Sequence, residues 1–295
     1  MTVPVDATLE AVLRRDRLVV VTALTAVIAL SWAYLLVGAG MGMSAFEMTR
    51  MSQLGIAKGM FEGDMAGMAM MTPAVWTPRY AVLMLLMWWV MMVAMMLPSA
   101  APMILLFATV NRKQREPGHP HVATSMFSVG YLAAWAGFSL VAVILQWGLE
   151  RTGILSPMLI GTNVIFGGVL LLAAGVYQLT PIKHACLRHC RSPLAFLGTH
   201  WRRGTRGALS MGLVHGAFCV GCCWFLMGLM FFGGVMNLYW VAGLALFVLF
   251  EKTVPAGHWL GYAAGVVLLV WGAAMLALAF QHGHTGTAET LGVSR

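Results

Sequence analysis

Apolar residues in this chain come in unbroken stretches of about 20, too long for buried strands and long enough to cross the ~30 Å hydrocarbon core of a bilayer as helices. Seven such stretches predict seven helices, at 18–37, 80–110, 124–149, 158–179, 208–232, 235–250 and 259–280. Charged residues fall between them. The second stretch carries Pro98 and Pro102, whose missing N–H groups predict a kink toward its far end. The first follows Arg14, Arg15 and Arg17 as a signal peptide would, but its length and the lack of a small-x-small cleavage site predict a retained anchor.

Composition agrees with the pattern. Of the 295 residues 60% are hydrophobic and 9% charged, and mean hydropathy is +0.82. A globular domain carries about 25% charged residues, so this chain lacks the polar groups to cover a water-facing surface. Soluble enzymes, nucleic-acid binders and secreted disulfide scaffolds are thereby excluded. The expected fold is all-α, a polytopic membrane helix bundle of about seven transmembrane helices with the lipid bilayer as its first partner. Its net charge of +8 is explained by basic loops that set orientation.

Those loops are one-sided. Residues 14, 15, 17, 112, 113, 115, 183, 188, 191, 202, 203, 206 and 252 supply 13 of the 18 Lys and Arg to one side; residues 50, 58, 79, 151 and 295 supply 5 to the other. The positive-inside rule then predicts a bacterial cytoplasmic (inner) membrane protein with its N-terminus in the cytoplasm and its C-terminus outside. The organisation reads as a cytoplasmic N-terminus (1–17), a first span (18–37), a methionine-rich extracytoplasmic loop (38–78), a six-helix membrane core (79–280) and a disordered tail (281–295). Internal repetition is faint: Tyr177-Gln-Leu-Thr-Pro181 resembles Phe250-Glu-Lys-Thr-Val-Pro255. Neither a Gly-rich phosphate loop nor a Ser-His-Asp set stands out.

Of the 24 methionines, nine lie between Met41 and Met71: Met41, Met43, Met48, Met51, Met60, Met65, Met68, Met70 and Met71. A thioether is a soft, uncharged ligand that survives outside the reducing cytosol, and soft ligands select Cu(I). The close spacing of Met41 and Met43, and of Met65, Met68, Met70 and Met71, lets two or three sulfurs meet one ion. The alternative is an apolar interfacial segment with Met as gap filler. In the second stretch Met84, Met87, Met91 and Met95 fall within an arc of about 80° at 100° per residue, with Met92 and Met96 to one side. Such a stripe can hand a soft cation inward, or it can be packing, since Met and Leu are near-isosteres.

The sharpest signal is Met211-Gly-Leu-Val-His215-Gly-Ala-Phe-Cys219-Val-Gly-Cys222-Cys223. On a helix, relative to His215, Met211 lies at about −40°, Cys219 at about +40°, Cys222 at about −20° and Cys223 at about +80°. Imidazole and thiols share one face, a donor set suited to Cu(I) or Zn(II). Ionisable groups inside a membrane are functional candidates by default, although buried Cys is also an ordinary small hydrophobe. Further on the cytoplasmic side, Cys186, His189 and Cys190 would face one way on a helix, as an inner metal exit or zinc site. Their basic neighbours equally suit a helix lying on anionic headgroups.

The run from Met87 to Pro98, the Cys186-Leu-Arg-His189-Cys190 segment, the His215-x3-Cys219-x2-Cys222-Cys223 core, and Gly233-Gly-Val-Met-Asn237 with Glu251-Lys252 resemble a bacterial membrane family of unknown function labelled predicted metal-binding integral membrane proteins. The resemblance covers about residues 80–280 and implies metal binding and a multi-span fold, without a reaction or a transport direction.

The leading functional expectation is therefore copper handling: Cu(I) captured by the outer methionines, held by the Met, His and Cys site, and passed to a cuproenzyme or copper chaperone, with no catalysis required. A membrane thiol oxidoreductase built on Cys219 and Cys222 is the second reading, and a structural or assembly subunit without metal the third.

Overall fold

The computed structural model describes residues 5–51, 75–113, 120–155 and 164–292. Among the described residues every regular element is helical: α1 (Val5–Leu36), α2 (Pro78–Lys113), α3 (Pro120–Arg151), α4 (Val164–Leu179), α5 (Pro181–Arg191), α6 (Pro193–His200), α7 (Gly204–Gly228), α8 (Met230–Gly233), α9 (Leu238–Thr253) and α10 (Gly257–Gly292). The all-α expectation holds. Five helical segments are long and apolar enough to cross a membrane: Arg17–Leu36, Pro78–Arg112, Val122–Arg151, Gly204–Gly233 and Gly257–Gln281. Counting α4 and α5 as one bent unit, with 63° between them, makes six. The count of seven is not reached on this measure because α9 has 16 residues, about 24 Å at 1.5 Å per residue. Pro98 and Pro102 both lie inside α2, which stays helical from Pro78 to Lys113. α10 runs on to Gly292, into the stretch read from sequence as a disordered tail.

α2 is the centre of the bundle, with α1, α3 and α9 packed against it. Met84, Met87, Trp88, Met91, Met92, Met95 and Met96 are all buried, so its burial runs round the helix rather than along one stripe. The outer helices instead show apolar side chains outward, among them Leu30 on α1, Ile144 on α3 and Val270 on α10. Polar contacts are kept inside. Trp76 Nε1 donates to Glu150 Oε2 at 2.7 Å, Gln146 Nε2 donates to Glu150 Oε1 at 2.9 Å, and Trp88 Nε1 donates to Gln146 Oε1 at 2.7 Å.

The closest helix packing is between α3 and α7 and between α4 and α10. Small residues permit it. A Cβ on Gly212 of α7 would overlap the Phe127 carbonyl of α3, and one on Gly216 would lie 2.6 Å from Ala134 Cβ. Because the obstacle at Gly212 is backbone, it has no rotamer to yield. Gly212→Ala should therefore lower stability by about 1–3 kcal/mol, read as a fall in the thermal unfolding midpoint of the detergent-solubilised protein; an unchanged midpoint would show that α3 and α7 can part without cost.

A short helix over 45–51 closes the end of the bundle where α2 begins. Ser44 and Glu47 form a reciprocal cap at its start: the Ser44 N–H reaches Glu47 Oε2 at 2.8 Å and the Glu47 N–H reaches Ser44 Oγ at 3.3 Å. These bonds hold the exposed Glu47 carboxyl below its usual range. Thr49 Oγ1 accepts the Leu238 N–H at 2.8 Å, tying this helix to the start of α9.

Candidate metal centre

The buried stripe of α7 comprises Ala208, Met211, Gly212, His215, Gly216, Cys219, Cys222, Cys223, Leu226 and Met227, a helical repeat along one side. Its sulfur chemistry centres on Cys219. Lys252 Nζ of α9 donates to Cys219 Sγ at 2.9 Å, and the Tyr131 hydroxyl of α3 lies 3.1 Å from the same sulfur. Cys222 Sγ and Cys223 Sγ lie 3.1 and 3.0 Å from the Cys219 carbonyl oxygen. The fourth thiol comes from another helix: Cys190 of α5 packs close enough to interact with the thiols of Cys219 and Cys222. Cys186, one turn earlier on α5, has its Sγ 3.0 Å from where a Cβ on Gly221 would stand, so the absence of a side chain at Gly221 gives that thiol its room.

The position of α5 follows from local chemistry. Thr180 caps its N-terminus, its Oγ1 accepting the Lys183 N–H at 3.3 Å, and Pro181 occupies the first turn where a missing N–H costs nothing. The turn after α4 folds α5 back against α7. It is anchored by a buried ion pair, in which Lys183 Nζ donates to both Glu251 Oε1 of α9 and Gln178 Oε1 of α4. The two similar sequence segments, around Gln178 and Glu251, thus meet on one ammonium. At the far end Arg191 donates to the Val254 carbonyl at 2.7 Å.

The sequence-predicted residues divide. Cys219, Cys222, Cys223 and Cys190 come together. His215 is 3% exposed and, among the described residues, nothing hydrogen-bonds its Nδ1, but its ring sits among Phe127, Tyr131 and Phe196, with centroids 6.1, 5.9 and 5.2 Å away. Met211 Sδ accepts the Arg202 N–H at 3.2 Å, toward the Gly204 end of α7. His189 stacks on Phe218 with ring centroids 4.1 Å apart, and its Nδ1 lies 3.0 Å from the Ala185 carbonyl oxygen. The thioether that meets the thiols is Met96, whose Sδ is 4.0 Å from Cys223 Sγ. Met84, Met87, Met91 and Met95 are buried along α2. Met41 and Met43 are half-buried against the core, while Met65, Met68, Met70 and Met71 lie outside the described residues.

Lys252, Tyr131, Ser99 and Met96 are the participants that ligand spacing does not reveal. Ser99 Oγ accepts a hydrogen bond from Lys252 at 3.3 Å, and the Tyr131 hydroxyl also reaches the Met96 carbonyl at 3.2 Å. Glu251-Lys252 was legible only as part of the family pattern. Among the described residues, no group of three or more His, Cys, Asp or Glu side chains is disposed to hold a metal ion. What the cluster offers is thiols from two helices in apolar surroundings, beside one cation and one thioether.

Residues 85–275 match the sequence model of a family, PpoB2, described as copper chaperone. The chain belongs to this copper chaperone family. The match takes in the five cysteines, His215, Met96, Tyr131 and Lys252, and stops short of Met41 to Met71. No curated protein and no solved structure matches the chain. The membership narrows the general expectation of metal binding to copper.

Proposed function

We propose that this protein spans a bacterial cytoplasmic membrane and carries Cu(I) on the thiols around Cys219, for delivery to a cuproenzyme or another copper carrier. The observation that carries the reading is the convergence of Cys190 with Cys219 and Cys222, from two helices, in a member of a copper chaperone family. Thiolate sulfur is the side-chain donor best matched to Cu(I). Membrane placement is supported by the inverted surface: apolar side chains outside, thiols and hydrogen-bonded polar groups within. In this arrangement the N-terminus and α5 face the cytoplasm, as the 13 to 5 split of basic residues supports. α4 and the short α9 complete seven spans.

The outer methionines, Met41 and Met43 with Met65, Met68, Met70 and Met71, are the capture end. The column from Met84 through Met87, Met91 and Met95 to Met96 covers roughly 18 Å along α2, and Met96 against Cys223 is where thioether gives way to thiol. Neutral thioethers hold the ion loosely and thiolates hold it tightly, so affinity rises along the path. His215, whose Nδ1 has no hydrogen-bond partner among the described residues, is an additional donor one turn from Cys219.

The test is a competition titration. Detergent-purified protein is loaded with Cu(I) against a chromophoric Cu(I) chelator, in parallel with a Cys219→Ser, Cys222→Ser double variant. The wild type should retain stoichiometric Cu(I) that the double variant surrenders; equal retention by both would overturn the thiol site. Because Cys219 and Cys222 also form a Cys-x-x-Cys pair, thiol trapping in intact cells distinguishes an oxidoreductase. That second reading predicts a reversible Cys219–Cys222 disulfide, whereas copper carriage predicts free thiols that metal protects from alkylation.

A further inference from the structure

Lys252 adjoins the Lys183–Glu251 ion pair yet takes no part in it. Successive helix positions point about 100° apart, so Glu251 turns to Lys183 of α5 while Lys252 turns to α7. Lys252 is 7% exposed, and its ammonium hydrogen-bonds Ser99 Oγ at 3.3 Å and Cys219 Sγ at 2.9 Å. Neither is a carboxylate. A buried ammonium is costly without a counter-charge, and the acids grouped at its end are the thiols of Cys219, Cys222, Cys223 and Cys190.

We infer that Lys252 is the selectivity residue of the thiol site: its positive charge matches the site to a monovalent soft cation held between two thiolates, and disfavours a divalent one. This rests on the copper reading above and adds the charge rule by which the site chooses its ion. Two thiolates on a monovalent ion carry one net negative charge, which Lys252 cancels. The same two thiolates on a divalent ion are already neutral, so Lys252 leaves a positive charge stranded in apolar surroundings. A divalent ion would need a third thiolate to reach neutrality, and among the described residues no three such ligands are so placed. Softness alone does not separate Cu(I) from Zn(II), since thiolate binds both; the fixed charge does.

The experiment compares detergent-purified wild type, Lys252→Met and Lys252→Arg for binding of Cu(I), Ag(I), Zn(II) and Cd(II), each by competition with a chelator of known affinity. Lys252→Met should weaken Cu(I) and Ag(I) on the order of 100-fold, the effect of one unit charge at short range in a protein interior. Zn(II) and Cd(II) should tighten in the same variant, and Lys252→Arg should keep the wild-type order. If Lys252→Met binds all four ions in the wild-type ratios, the charge rule is overturned while the copper reading stands. If the wild type binds no Cu(I), the copper reading itself has failed. Should Lys252→Met not fold, Lys252→Gln takes its place, and the wild type alone supplies a second measurement. Its preference for Ag(I) over Cd(II) should exceed that of free dithiothreitol, and an equal or smaller preference overturns the inference.

Discussion

Replacing Glu251 with Gln should destabilise the protein by about 3–5 kcal/mol, the cost of leaving one partner of a buried ion pair uncompensated. Both side chains of the pair are 0% exposed, so solvent cannot screen the orphaned Lys183 ammonium. Lys183→Met should cost a comparable amount, whereas the double variant Lys183→Met, Glu251→Leu should recover most of the loss, because burying two apolar groups strands no charge. Unfolding midpoints and denaturation free energies of the four proteins in one detergent close the cycle. Additive single effects would show that Lys183 and Glu251 act independently. Copper binding should fall along with stability in the single variants, since the pair ties α5, and with it Cys190, to α9 and its Lys252. Gly261 of α10 adjoins the same pair: a Cβ there would lie 3.5 Å from Lys183 Nζ, and it would crowd Glu251 Oε1.

The second large effect concerns the order in which ligands matter. Cys219→Ser should lower Cu(I) affinity by more than about 100-fold, since even residues behind a metal ligand are worth 10- to 100-fold. Cys190→Ser should come close to it, although 29 positions separate the two cysteines in sequence. Met211→Leu should leave affinity unchanged, because its sulfur is taken by the Arg202 N–H. Spacing along α7 alone gives a different order, with Met211 and His215 ahead of Cys190. The titrations therefore decide between a site built along one helix and one built between two. A Cys190→Ser variant with wild-type affinity, alongside a weakened Met211→Leu variant, would favour the former.

What could be read before folding was everything that depends on periodicity and bulk polarity. Long apolar stretches predicted long helices, and the 3.6-residue repeat placed His215, Cys219, Cys222 and Cys223 on one side of α7, which is the buried side. Both are properties of a single segment, carried by residues within a few turns of each other. α9 shows where length alone does not decide: apolar residues define it well, but 16 residues fall short of the ~20 expected of a span.

The site itself was decided elsewhere. Cys190 was read as part of a separate cytoplasmic segment, and only the 63° bend between α4 and α5 returns it to Cys219. Lys252 looked like one more basic residue at a helix end until α9 packed beside α7 with Glu251 already engaged. Met96, which meets Cys223, lies to one side of the predicted stripe, and burial does not single out one face there because α2 is enclosed all round from Met91 to Leu97. A sequence determines which side chains share a helix face, since rise and twist are constant. Which faces meet depends on how closely backbones can approach, as at Gly212 against Phe127, and on where a buried charge finds its partner. Those contacts exist only in the packed chain.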